Sequence, residues 1–210
     1  MITVNPCGGK AGQYKRGKII GLTGMYCAGK NHVARLLEKR GIPALDVDKL
    51  GHAALEQERD AILRRFGPGV LGDGGVIDRK KLGALVFGKS RELAALEAIV
   101  HPAANRLTEQ WINEREGQNL VINAALLHRS SVFERLDAII LVTAPWFARL
   151  IRARRRDHLP WREIFRRFYS QRDFMSQYLR KNTDIHIVGN GPFGKPDRRL
   201  DDILERICPD

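Results

Sequence analysis

Hydrophobic spacing divides the chain near Lys18. Residues 1–17 are rich in glycine and lysine and show no period, which predicts a disordered leader. From there on, short apolar runs alternate with longer segments of helical spacing. Residues 18–23 predict a buried strand. Val33-Ala34-Arg35-Leu36-Leu37 then marks a helix over residues 31–40, ended by Gly41 where a left-handed residue commonly closes a helix. Residues 42–47 predict a second short strand with Asp46 and Asp48 at its carboxyl end. Residues 49–116 read as helical, broken at Phe66-Gly67-Pro68-Gly69 and Gly72-Asp73-Gly74-Gly75. Leu93, Leu96, Ile99 and Val100 form an apolar stripe there that His101-Pro102 interrupts. Residues 120–123 and 138–142 are continuous apolar runs of the kind found in central parallel strands. Pro145 opens a helix with Phe147, Leu150 and Ile151 on its buried face, while Arg152 and Arg156, four apart, share another. A long helix over 161–181, a strand over 185–188 and a helix over 198–207 complete the pattern. Strands alternating with helices through connections of this length specify a doubly wound α/β fold with a parallel sheet.

Composition narrows the picture. The 210 residues are 43% hydrophobic and 29% charged, within the range of one domain carrying an inserted lid. No apolar run approaches the roughly 20 residues that span a bilayer. The first ten residues lack the apolar segment of a secretory signal, so a cytoplasmic location and no membrane partner are expected. Cys7, Cys27 and Cys208 are too far apart to imply a disulfide framework or a metal cluster. The net charge of +12 raises the question of nucleic acid. However, the arginines concentrate between 149 and 180, with no aromatic strand motif of an RNA-binding sheet, so nucleic acid is set aside as the main partner.

The candidate chemistry begins at Gly24-Met25-Tyr26-Cys27-Ala28-Gly29-Lys30-Asn31, between the first strand and the first helix. This is the Gly-x-x-x-x-Gly-Lys spacing of a phosphate-binding P-loop: backbone N–H groups turn inward around a polyphosphate, the helix N-terminus adds its positive end, and Lys30 reaches the outer phosphates. Asn31 stands where Ser or Thr normally offers magnesium a hydroxyl, and its amide oxygen is the candidate metal ligand. Phosphoryl transfer also needs an acceptor held in line and cations for the developing charge. Asp46 and Asp48, if both lie on the strand, point to the same side of the sheet where the acceptor hydroxyl belongs. Asp48 is then the group that takes the acceptor's proton or binds it through water; capping the following helix is the alternative role. In Arg152-Ala153-Arg154-Arg155-Arg156-Asp157, Arg152 reads as the arginine that closes over phosphate, and Arg154 and Arg155 as a solvated basic face.

Taken in order, the P-loop, Asp46-x-Asp48-x-x-x-His52, Arg65-Phe66-Gly67, Asp73-Gly74 with Asp78-Arg79, Leu96-Glu97-x-Ile99-x-His101-Pro102, Arg152-x-x-x-Arg156-Asp157 and Asn190-x-Gly resemble the dephospho-CoA kinase family. The resemblance runs from about Lys18 to Ile207. It implies a five-stranded parallel sheet of P-loop type with a helical acceptor subdomain (about 49–116) and a helical lid (about 152–181). It also implies magnesium-dependent transfer from ATP to the 3′-hydroxyl of dephospho-CoA. By likeness Lys30, Asp48 and Arg152 are catalytic, and Cys27, Ala28, Gly29, Lys30, Asn31 and His32, with Arg156 and Asn190, hold the nucleotide. The sequence departs from the family at Asn31, at Ala125-Leu126-Leu127-His128-Arg129, where Pro-Leu-Leu-Phe-Glu is usual, and in its arginine-rich lid. His101 reads as a structural residue before a proline. The P-loop spacing alone leaves open another small-molecule kinase, with a nucleoside monophosphate or shikimate-like acceptor, or a non-catalytic basic protein that binds nucleotide or RNA.

Overall fold

The computed structural model describes residues 17–171, 174, 178, 184–192 and 194–208. Five parallel strands form one sheet: β1 (Ile19–Gly24), β2 (Ala44–Asp46), β3 (Leu120–Asn123), β4 (Ala138–Thr143) and β5 (Asp184–Gly189), in the order β2-β3-β1-β4-β5. From β1 the chain goes to β2 at one edge, returns to β3 beside β1, and then crosses to β4 and β5 on the other side. The carboxyl end of β1 therefore lies at the point where the winding reverses, the usual ligand crevice of an open parallel sheet.

Alternation along the strands fills both faces. Ile20 and Leu22 turn to one face and join Val121, Ile140, Val142 and Val188 beneath helices α1 (Lys30–Glu38) and α8 (Pro196–Ile207). Ile19, Leu120, Ile122, Ile139 and Leu141 turn to the other, against Ile112, Leu127, Phe133 and Tyr178. Gly21 sits between them because a Cβ there would lie 2.5 Å from a methyl of Leu127. Helix α1 closes as its spacing predicts. Gly41 has φ 77°, its N–H bonds to the Glu38 carbonyl, and the Ile42 N–H reaches back to Leu37 at 3.2 Å. This is a Schellman cap with an apolar contact across it.

Between β2 and β3 lie α2 (Val47–Gln57), α3 (Arg59–Phe66), two short 3₁₀ turns (Pro68–Val70 and Asp73–Gly75), α4 (Arg79–Val86) and α5 (Ser90–Asn113). They enclose an apolar cluster of their own, built on Ile62, Val70, Ile77, Leu82 and Val86. Asp78 caps α4 by accepting the N–H groups of Lys80 and Lys81. After β4 come α6 (Trp146–Asp157) and α7 (Trp161–Tyr169).

Four expectations are corrected. First, β2 ends at Asp46 and α2 starts at Val47, so Asp46 and Asp48 do not share a strand face; Asp48 lies in the first turn of a helix. Second, Pro102 does not interrupt α5. The helix continues through it, and what proline removes is one N–H directed at the Ala98 carbonyl of an exposed turn. Third, α6 buries Ala148, Arg149 and Ala153, leaving Phe147 and Ile151 about half exposed. Its inner face meets the loop after β1 and α7, where Arg149 bonds the Tyr26 carbonyl and lies over the Phe168 ring. Fourth, α7 stops at Tyr169, followed by a turn at Ser170-Gln171; much of the predicted 161–181 helix beyond it lies outside the described residues, as does the leader up to residue 16 with Cys7.

Candidate active site

The loop between β1 and α1 turns its carbonyls outward onto donors supplied by other elements. The Tyr26 carbonyl accepts Nε of Arg149 at 2.8 Å. The Ala28 carbonyl accepts Nη1 of Arg152 at 3.1 Å and the Asn190 side-chain amide at 2.9 Å. Met25 accepts the Ala28 N–H at 2.9 Å. The N–H groups of Gly29, Lys30 and Asn31 are left without a protein acceptor among the described residues, at a helix N-terminus. That is the cradle an oxyanion requires. Gly29 is required twice over, by its φ of 98° and because a Cβ would fall 2.0 Å from the Asn190 amide nitrogen. Cys27 takes φ 57°, a left-handed conformation unusual for a side chain of its kind, and burial raises its thiol pKa. Asn190, placed just after β5, is itself fixed by its N–H to Thr143 at 2.7 Å and by Nη2 of Arg152 on its carbonyl at 2.7 Å.

Lys30 points from the loop toward α2 and pairs with Asp48, Nζ to Oδ2 2.7 Å. The second Asp48 oxygen accepts the Ala125 N–H at 3.3 Å, so both oxygens are oriented. Capping is not its role: the N-cap position is Asp46, whose side chain makes no cap bond. The Asn31 amide oxygen accepts Nδ2 of Asn123 at 3.2 Å. Beside this pair, at the carboxyl ends of β2 and β3, Oδ1 of Asp46 and Oδ1 of Asn123 are buried without partners.

Two clefts meet here. The one over the loop, about 490 Å³, is lined by Cys27, Gly29, Lys30, Asn31, His32, Arg152 and Arg156 among others. The second, about 430 Å³, opens between α2, α5 and the segment after β3. Leu55, Leu96, Val100 and Leu126 form its apolar wall, with His52, Arg79, His101 and Arg129 as its basic groups. Asp48 lines both. His101, read from sequence as structural, faces this second cleft and contacts Asn105 at 3.3 Å. Leu126 and Arg129 of the departing segment line it too, while His128 is held by the Tyr178 hydroxyl at 3.2 Å.

Sequence reasoning missed a hub joining the loop to α6 and α7. The Tyr26 hydroxyl donates to Asp157, which also receives Nε of Arg156 at 2.6 Å and Nη1 of Arg167 at 3.1 Å. Both guanidinium groups lie over the Tyr26 ring, at 5.3 and 5.6 Å. Gln171 accepts the Tyr26 N–H at 2.6 Å. Hydrogen bonding from Arg156 draws the Asp157 carboxyl down to about 2, against the opposing effect of burial. Of the residues read as a solvated basic face, Arg154 donates to the Leu159 carbonyl at 2.7 Å and covers the Trp161 ring. Single tyrosines and glutamines carry no spacing signal, so only the Arg152-x-x-x-Arg156-Asp157 cluster pointed here.

Comparison with known proteins agrees with this geometry. The family model described as dephospho-CoA kinase matches residues 18–191. A dephospho-CoA kinase of Halalkalibacterium halodurans is 34% identical over 194 residues, covering 90% of this chain and 96% of its own. One from Thermus thermophilus is 37% identical over 189 residues, covering 90% and 91%. The crystal structure of TT1252 from Thermus thermophilus superposes with a TM-score of 0.76 at 33% identity, covering 91% of this chain and 98% of that one. The phosphate loop, the second cleft and these relatives, each spanning nearly the whole described fold, lead to one assignment: the chain belongs to the dephospho-CoA kinase family.

Proposed function

We propose that the protein transfers the γ-phosphoryl group of ATP to the 3′-hydroxyl of dephospho-CoA, giving coenzyme A. The observation that carries the reading is the position of Asp48, on the wall common to both clefts and in contact with Lys30. A base at that junction reaches an acceptor hydroxyl on one side and a donor phosphate on the other. The loop N–H groups and Lys30 hold the β- and γ-phosphates, and Arg152 and Arg156 add positive charge above them. Asp48 orients the ribose hydroxyl and takes its proton as the new O–P bond forms. The bond from γ-phosphorus to the β-bridging oxygen breaks, and ADP leaves with the electron pair.

We assign the helices between β2 and β3 (about 49–116) to the acceptor and α6 with α7 to a lid, because the second cleft is walled by the former and Tyr26 is gripped by the latter. Within the acceptor cleft, Arg79 and Arg129 have no carboxylate partner among the described residues and suit the diphosphate of dephospho-CoA; the apolar wall suits its pantetheine arm. Magnesium fits the oxygen donors at the strand ends: Asn31, with the orphaned oxygens of Asp46 and Asn123, would hold it together with phosphate oxygens. When bound, it neutralises the phosphate charge that builds up during transfer.

A coupled assay of ATP consumption tests the assignment. Turnover with dephospho-CoA is expected to exceed that with adenosine monophosphate or shikimate by several orders of magnitude. Equal rates with adenosine monophosphate would defeat it.

A further inference from the structure

Arg149 is the one charged residue in the buried interior among those described, only 5% exposed. It projects from the inner face of α6 against the first residues of the phosphate loop. Nε bonds the Tyr26 carbonyl at 2.8 Å, Nη1 meets only the Met25 sulfur at 3.5 Å, and Nη2 is buried with no partner. Its guanidinium carbon lies 4.5 Å from the centre of the Phe168 ring. No described carboxylate pairs with it, whereas Arg156 and Arg167 share Asp157 and Arg40 has both Asp197 and Asp201.

Burying a cation without a counter-ion is strongly unfavourable, and an apolar residue of the same volume usually serves a fold as well or better. One carbonyl bond does not require a full charge. We propose that the counter-charge of Arg149 is the polyphosphate of the bound nucleotide, so that Arg149 acts from behind the loop as an electrostatic determinant of affinity for nucleoside triphosphate over monophosphate. This rests on the reading of the loop as the ATP site. Little water lies between a buried guanidinium and the loop it touches, so its field is weakly screened there. Burial also lowers the pKa of the group, the sign expected of a cation lacking an anionic neighbour.

The test is titration calorimetry on the full chain with ATP, ADP, AMP and inorganic tripolyphosphate, beside thermal melting without nucleotide. Arg149→Met keeps the bulk and removes the charge. It is expected to melt at the parent temperature or above, yet to weaken ATP about tenfold, the scale of one charge-assisted contact, with smaller losses for ADP and AMP. Its affinity should also depend less steeply on salt. Arg149→Gln keeps a donor for the Tyr26 carbonyl and is expected to lose as much ATP affinity as the methionine variant. Arg149→Lys should retain most of the preference for ATP. A glutamine variant that binds ATP within twofold of the parent, or losses equal for AMP and ATP, would reduce Arg149 to a brace for one carbonyl and overturn the proposal. If the methionine variant does not fold, the glutamine and lysine variants decide by the same comparison. Calorimetry reads binding alone, so a parent that failed to phosphorylate dephospho-CoA would defeat the functional reading and leave this test standing.

Discussion

On the proposed reading Asp48 takes the acceptor's proton as well as holding the Ala125 N–H, and substitution divides the two. Asp48→Asn keeps an oxygen for the Ala125 N–H but removes the base and the charge facing Lys30. Steady-state kinetics are expected to show turnover lower by about 10²–10⁴-fold, the usual contribution of a positioned base, with KM for ATP within a few-fold of the parent. Near-parent turnover would leave Asp48 a mere support for the Ala125 turn. Asn31 also has a structural duty that its motif position does not announce, since its amide oxygen is the acceptor for Asn123. Asn31→Thr is expected to retain activity with a lower magnesium requirement. It should also cost about 1–3 kcal/mol of stability, because the buried Asn123 amide loses its partner. Denaturant unfolding with a magnesium titration measures both; unchanged stability would show that a threonine hydroxyl replaces the lost acceptor.

At the scale of elements, Asp157 links α6 and α7 to the phosphate loop through Tyr26, alongside the bonds that Arg149, Arg152 and Gln171 make to the same loop. Its carboxyl titrates at about 2 in the folded protein against an ordinary 3.8, so the ionised form favours the native state. That stabilisation is complete above about pH 4 and disappears as the pH falls toward 2. Asp157→Asn should therefore lower stability at neutral pH and flatten the acid limb of the stability profile between those values. A variant whose acid limb matches the parent would place the acid sensitivity elsewhere. The elements themselves were largely legible in the sequence, because continuous apolar runs and helical stripes are direct consequences of burial. Their ends were less so. Nothing in Leu45-Asp46-Val47-Asp48 distinguishes one more strand residue from a first helical turn, and the turn decides where Asp48 points. The inner face of α6 was misread because hydrophobicity marks the usual occupants of a buried face, whereas this one holds Arg149, placed between the Tyr26 carbonyl and the Phe168 ring. The P-loop was legible from spacing alone. The hub around Tyr26 was not, since contacts between residues 26, 157, 167 and 171 exist only once the sheet has brought α6 and α7 over β1.

On the scale of the whole molecule, the apolar interior is divided. Two clusters flank the sheet, and a third, around Ile62, lies within the helices between β2 and β3. Truncating Ile62 to alanine should cost about 2–5 kcal/mol locally, as buried aliphatic deletions do. Native-state hydrogen exchange is expected to show the loss in amides of α2 to α5, with the amides of β1, β3 and β4 still protected. Uniform loss of protection across the sheet would mean that the clusters melt as one. The partly separate packing of this segment, joined to the sheet through Ile112 and its neighbours, also bears on descent. The segment reaches the cleft over the phosphate loop through Asp48, near its point of entry, while the loop itself is braced by α6 and the turn after β5. An insertion with its own core can diverge, or be grafted, without disturbing the frame that receives it. If this segment holds the acceptor, as proposed above, new acceptors can be recruited by rewriting one cassette while the phosphate donor stays the same.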